Sequence, residues 1–328
     1  MITRRDFIGS SAALAVVACG RAGRPAQVVS SPQPSRSVDR LPLGFSTLGC
    51  PNWEWRQVLD FATAHGFAAV ELRGLQTEMD LTKRPEFAPT RLDETRRQIA
   101  DRGLRISCLG ASANMHEMDA AKRATELDEA RRFIDLAHDL HAPYVRVFGN
   151  KYVAGVPRDQ MLAHIARGLR ELGDYAGGRG VTVLLESHGD FTDSPTLREL
   201  MERADSPAAA ILWDAHHTFA FGKEAPEDTF RQLRRWIRHT HLKDSVPAGT
   251  DRRYVLTGSG DVPVRRQVEQ LAHSGYPGYY SFEWEKRWHP EIEEPEVAIA
   301  QFATVVGGYL RDAGVRAEAP GARSPGRP

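Results

Sequence analysis

Residues 181–189 read VTVLLESHG: five apolar or β-branched residues, then Glu186, then a short polar turn. A brief apolar run closed by a glycine marks a strand buried on both faces, the habit of parallel sheets. The pattern returns three times toward the C-terminus. Residues 208–217 (AAAILWDAHH) end on Asp214, residues 237–244 (IRHTHLKD) carry His241, and residues 278–285 (GYYSFEWE) carry Glu283. Along the whole chain eight such runs emerge: Leu43–Leu48, Ala69–Arg73, Arg105–Leu109, Tyr144–Phe148, Val181–Glu186, Ala210–Asp214, Ile237–His241 and Tyr279–Trp284. Amphipathic segments such as LDETRRQIADRG (92–103) and DQMLAHIARGLRELGDYAGGRG (159–180) separate them. Gly66, Gly103, Gly180 and Gly275 precede the next strand, where a helix C-cap glycine belongs. Eight strand–helix units in one chain predict an α/β fold, a closed (β/α)8 TIM barrel forming a single domain over residues 41–314.

In that architecture the C-terminal ends of the strands converge on one mouth. Side chains alternate along a strand, so Glu186 shares a face with Leu184, Asp214 with Leu212, His241 with His239 and Glu283 with Ser281. If those faces point inward, two glutamates, one aspartate and one imidazole crown neighbouring strands. Any one of them alone reads better as a helix N-cap or half of an ion pair. Together, acids at one barrel mouth repel one another, and a divalent cation relieves that repulsion. Three carboxylates with one imidazole suit Mn²⁺ first, then Mg²⁺, Co²⁺ or Zn²⁺. No cysteine joins the set, which argues against a structural zinc site.

The motifs LLESHG, WDAHHT, HTHLKD, GSGDVP and SFEWE resemble those of the sugar phosphate isomerase/epimerase family, whose fold is a xylose isomerase-like barrel. The resemblance runs from about Leu43 to Leu310. It implies that Glu186, Asp214, His241 and Glu283 bind one divalent metal, that Glu186 and Glu283 are the catalytic acid/base pair, and that His188 and His217 hold substrate hydroxyls. The family's ketohexose epimerases have an arginine shortly after the seventh-strand histidine; this chain has Lys243 and then Pro247. Further substrate-binding candidates are Lys243, two residues past His241 on the same strand face, Glu71 and Arg73 at the end of the second strand, and His116 in the loop ASANMHEM. Each has a plainer alternative: an ion pair of Lys243 with Asp214 or Asp244, a rim pair for Glu71 and Arg73, an ordinary surface loop for His116. His239 reads as a buried structural histidine beneath His241. Five tryptophans near the expected mouth (Trp53, Trp55, Trp213, Trp284 and Trp288) are individually better explained by packing than by stacking on a sugar.

The chain ends bear on location. Thr3-Arg4-Arg5-Asp6-Phe7-Ile8 is a twin-arginine pattern, and the apolar run behind it stops at Val16-Val17-Ala18-Cys19, which resembles a lipobox. Residues 1–19 therefore read as an export signal with Cys19 as lipidation site, 20–40 as a flexible linker and 315–328 as a disordered tail. The expected location is the periplasm or cell envelope, with the membrane touched only through a lipid anchor and the export machinery. Cys50 and Cys108 fall on strands too far apart to bridge and are expected to be free. Lys plus Arg and Asp plus Glu both total 43, so the formal net charge is zero and no basic field exists for nucleic acid. The expected partner is a small sugar or keto-sugar, non-phosphorylated because phosphorylated sugars are mainly cytoplasmic. The expected reaction is enolisation leading to isomerisation or epimerisation. The alternative is a lyase or hydratase acting on a 3-keto-glycoside. An apurinic endonuclease-like enzyme and a non-catalytic sugar-binding lipoprotein are weaker readings. The oligomeric state is left open by the sequence.

Overall fold

The computed structural model of the chain describes residues 39–319. The twin-arginine pattern, Cys19 and the last part of the tail lie outside them. The barrel strands are β1 Leu43–Ser46, β2 Ala69–Leu72, β3 Arg105–Asn114, β4 Tyr144–Phe148, β5 Thr182–Glu186, β6 Ala209–Asp214 and β7 Ile237–Leu242. An antiparallel ribbon, β8 Asp244–Ala248 and β9 Asp251–Val255, intervenes before β10 Tyr280–Phe282. The order β1-β10-β7-β6-β5-β4-β3-β2 closes a parallel barrel with helices between successive strands. Every one of the eight expected strands is present, six with ends shifted by one or two residues and β3 longer by five. The N–H groups of Ser112 and Asn114 on β3 donate to the Glu129 and Glu126 carboxylates, and Asn114 pairs with Phe148. Those partners hold extended a segment that reads as loop in the sequence. Gly66, Gly103, Gly180 and Gly275 all adopt positive φ, as helix-ending glycines do. Backbone hydrogen bonds run in both directions between Arg40 and Glu318, joining the two ends of the described segment.

Apolar side chains fill two spaces. The larger lies between the strands and the surrounding helices. The smaller, formed by Cys108, Tyr144, Leu184, Ala210 and Leu212, plugs the barrel interior. Interior positions further along the strands turn polar: Glu71, Arg146, Glu186, His239, His241 and Ser281 are all buried. Cys50 and Cys108 are buried and free. Among the described residues no helix is long and apolar enough to cross a membrane.

The ribbon and the GSGDVP segment are organised by one side chain. Asp244 is fully buried and accepts from the N–H groups of Ser245, Gly258, Gly260 and Val262. A Cβ at Gly260 would strike the Asp244 carboxylate and the Ser245 carbonyl, so glycine is required there. Removing the carboxylate orphans several buried donors. Asp244→Ala is expected to cost about 2–4 kcal/mol in urea unfolding, with Asp244→Asn recovering roughly half. Equal stability of wild type and the alanine variant would show that the loop holds without this acceptor.

Candidate active site

Register brings the four strand-end residues together. Asp214 pairs with His241 across β6 and β7, and His241 with Ser281 across β7 and β10. A one-residue irregularity at Arg238 sets His239 opposite Leu212, which puts His239 and His241 on the interior face. One ligand atom from each of Glu186, Asp214, His241 and Glu283 lies within 4.8 Å of the others, and all four residues are buried. From His241 Nδ1, Glu283 Oε2 is 3.1 Å away, Glu186 Oε1 3.4 Å and Asp214 Oδ2 3.9 Å.

Neighbours orient this cluster. His241 Nε2 donates to both oxygens of Glu71 at 2.9–3.0 Å, and His239 Nε2 donates to the same carboxylate at 2.7 Å. A proton fixed on Nε2 turns Nδ1 toward the three acids. That Nδ1 is buried among those acids without a well-formed hydrogen bond, one of the four atoms placed to hold a metal. Asp214 doubles as N-cap of the helix Ala215–Ala220: its Oδ1 accepts from His217 N at 3.0 Å, which leaves Oδ2 for the site. Its helix-capping reading and its place in the cluster are therefore compatible.

Positive charge is built in beside the acids. Lys243, fully buried, donates to Asp214 Oδ2 (2.6 Å), to Glu285 Oε1 (2.9 Å) and to Glu283 Oε2. Burial opposes its charge, but the three carboxylates raise its pKa well above that of an ordinary lysine. Arg146 on β4 sets Nε 2.9 Å from Glu186 Oε2. Burial pushes Glu186 upward, yet Arg146 and His241 prevail and hold it at about 2. Glu283 is likewise kept below the carboxylate range, His241 and Lys243 overcoming its burial. Glu285 goes the other way, raised by burial.

The other candidates vary in how near they come to this cluster. His188 packs on Phe148 and edge-on to His217, with ring centroids 4.6 and 5.1 Å apart. Burial drives its pKa down to about 4, so it is a neutral imidazole. His217 Nδ1 donates to the Ser187 carbonyl at 3.0 Å and lies 3.2 Å from Asp214 Oδ2. Lys243 forms the expected pair with Asp214 and not with Asp244, whose carboxylate serves the loop. Glu71 is not free for substrate, because its oxygens are taken by His239 and His241. Arg73 donates from Nη1 to Ser112 Oγ at 3.0 Å and not to Glu71, so the two do not form a rim pair. His116 sits beside Lys151, Glu117 and Asp190. Among the described residues no hydrogen bond or ion pair joins it to the four converging side chains. Of the five tryptophans, four are buried and only Trp288 is exposed.

Sequence reading overlooked Arg146 and Glu285. Period-two alternation was available for both: Arg146 stands between inward Tyr144 and Phe148, and Glu285 two residues past Glu283. His216, also overlooked, is tied into the ribbon through Ser245 Oγ at 2.7 Å.

Comparison with known proteins bears on the fold and the family. L-ribulose-5-phosphate 3-epimerase UlaE of Shigella boydii is 25% identical over 297 residues, spanning 84% of this chain and 97% of that protein. A 3-dehydroshikimate dehydratase of Bacillus anthracis is 26% identical over 190 residues, 57% of this chain and 65% of that protein. In solved structures, the IOLI protein with a bound zinc atom superposes with a TM-score of 0.70 at 17% identity, over 83% of this chain and 99% of that one. Residues 59–303 match the model of one family along their length, and with the barrel and its crown of acids in place the chain belongs to that family, the xylose isomerase-like TIM barrels.

Proposed function

We propose that the chain is a divalent-metal-dependent isomerase or epimerase that enolises a non-phosphorylated sugar or keto-sugar. One observation carries the reading: two glutamates from β5 and the end of β10 meet an aspartate and an imidazole within a few ångströms, in a buried polar layer. The donor set fits a metal on structural grounds, because His241 Nδ1 lacks a well-formed hydrogen bond and burial of several acids leaves the cluster short of positive charge. Glu186, Asp214, His241 and Glu283 are the residues that hold it, with Mn²⁺ the first choice. When bound there, a divalent ion would supply polarisation of a substrate carbonyl and its neighbouring hydroxyl, which would acidify the C–H between them.

The chain's own side chains do the rest. Glu186 and Glu283, on strands separated by β6 and β7, flank a substrate lying across the mouth. One takes the proton from carbon and the other returns a proton to the opposite face, which inverts that centre. Arg146 and Lys243 keep the two carboxylates ionised and aimed. Neutral His188, and His217 beside it, offer ring nitrogens to substrate hydroxyls. The dehydratase among the relatives favours a second reading, in which the same proton abstraction expels a leaving group from the β-carbon. Location enters as a proposal too: the twin-arginine pattern and Cys19 support export and lipid anchoring.

Purified wild type should hold about one equivalent of metal by elemental analysis. Asp214→Ala and His241→Ala are expected to lose it, whereas His188→Ala, His217→Ala and Lys243→Ala keep it and lose activity. A second equivalent in the wild type, or metal loss in His217→Ala, would move His217 among the ligands.

Incubation with a keto-sugar panel in D₂O should exchange one substrate C–H, and Glu186→Gln or Glu283→Gln should slow that exchange by about 10²–10⁴-fold. Mass spectrometry separates the two readings: a released alcohol, phenol or water selects the lyase, and conserved carbon count selects the isomerase.

For location, Arg4→Lys with Arg5→Lys should leave the protein in the cytoplasm, and Cys19→Ala should free it from membranes. A wild type that fractionates as soluble cytoplasmic protein refutes export.

A further inference from the structure

Each acid of the mouth has a basic side chain within ion-pair distance, several of them sharing one, but one cation has no acid beside it. Arg73 is 7% exposed, at the top of the interior face of β2, two residues past Glu71. Among the described residues no carboxylate oxygen lies within 4.0 Å of its guanidinium. Its contacts are neutral: Nη1 donates to Ser112 Oγ at 3.0 Å and to the Gly110 carbonyl at 3.4 Å. Nε and Nη2 find no acceptor among the described residues. A guanidinium buried to that degree without a counter-ion is costly, and arginines so placed are normally paired.

A second arginine stands beside it. Arg146 sets Nε 2.9 Å from Glu186 Oε2 as an ion pair and donates Nη1 to the Ala111 carbonyl, while its guanidinium carbon rests 3.9 Å from the centroid of the Phe148 ring. A Cβ on Gly110 would come within 2.7 Å of Arg73 Cδ and 2.9 Å of Arg146 Nη2. The missing side chain at Gly110 is thus what lets both arginines lie over the same stretch of β3. Burial, and then the like charge of Arg146, hold Arg73 down at about 9, still cationic at neutral pH. Arg146, which Gly110 lets lie beside Arg73, rests in turn against Glu186, so Arg73 is one side chain removed from the acid cluster.

We infer that Arg73, flanked by Arg146, is the seat for a carboxylate on the substrate, so that the site takes a keto-sugar acid in preference to a neutral keto-sugar. This rests on the enolising reading and narrows its substrate class. The free Nε–Nη2 edge of Arg73 presents two parallel donors, the fork that a carboxylate accepts in a bidentate manner. A phosphate fits less well. Arg146 is already committed to Glu186, so one uncommitted guanidinium faces the ligand, which balances one negative charge and not two.

The test is calorimetric titration of Mn²⁺-loaded protein with matched probes. D-fructose and D-fructuronate differ only in a terminal carboxylate, as do D-tagatose and D-tagaturonate, and D-fructose 6-phosphate supplies the phosphate. At least one uronate should bind about 30-fold tighter than its neutral partner. Arg73→Gln should erase that preference and Arg73→Lys should lose roughly tenfold of it, since an ammonium keeps the charge without the fork. Neutral-sugar affinity should change by no more than about threefold in either variant. Should Arg73→Gln fail to fold by circular dichroism, wild type and Arg73→Lys decide the matter. The inference is overturned if neither uronate outbinds its neutral partner, if the variants weaken acid and neutral sugar alike, or if the phosphate binds tightest. Solvent exchange in D₂O is measured on the same samples. Exchange without acid preference sinks only the seat, and acid preference without exchange on any probe sinks the enolising reading while the seat stands.

Discussion

Five carboxylates, Glu71, Glu186, Asp214, Glu283 and Glu285, are buried inside one end of the barrel, each less than one-tenth exposed. Desolvating that much like charge costs several kcal/mol per ion before compensation. Most of the polar architecture is a response to it. Lys243 bridges three of the acids, Arg146 holds a fourth, and two imidazoles share Glu71. Beneath lies an apolar plug that keeps the layer from water on its lower side. A cluster so arranged is poor material for stability, since apolar side chains of the same volume would serve as well or better. Its presence marks a site kept for chemistry.

The compensation also aims the groups. Glu71 fixes the proton of His241 on Nε2 and so dictates which nitrogen faces the acids. The N-cap bond of Asp214 commits one oxygen to the backbone and frees the other. Lys243 and Arg146 hold the glutamates ionised, the state a proton-abstracting base must start from. Positioning of this kind, done in advance by fixed dipoles and charges, is where enzymes obtain much of their rate.

An epimerase and a dehydratase both begin by taking a proton from carbon, and they part only at the next step. The epimerase returns a proton to the other face, while the dehydratase loses a group from the adjacent carbon. The chemistry of a crown of acids suits either course, so the crown alone does not choose between them. What is left to distinguish one substrate from another is the set of neighbouring strand ends. Here that means Arg73, Arg146, the paired His188 and His217, and the ribbon β8–β9 with Lys243 just before it. Function is argued from these groups and not from the barrel, because one fold carries many activities.

The barrel and its crown were legible in the chain alone. Strands buried on both faces leave uninterrupted apolar runs, glycines end the helices between them, and period-two alternation places Glu186, Asp214, His241 and Glu283 on inward faces. Those signals are local, which is why they survive without coordinates. The partners were not legible. That Lys243 chooses Asp214 over Asp244, that Glu71 serves His239 and His241 from 168 and 170 residues away, and that Arg146 meets Glu186 while Arg73 meets no acid depend on strand register and on one irregularity at Arg238. Only barrel closure sets those distances. A side chain's charge is written in its identity, but its counter-ion is decided by which strand ends up beside it.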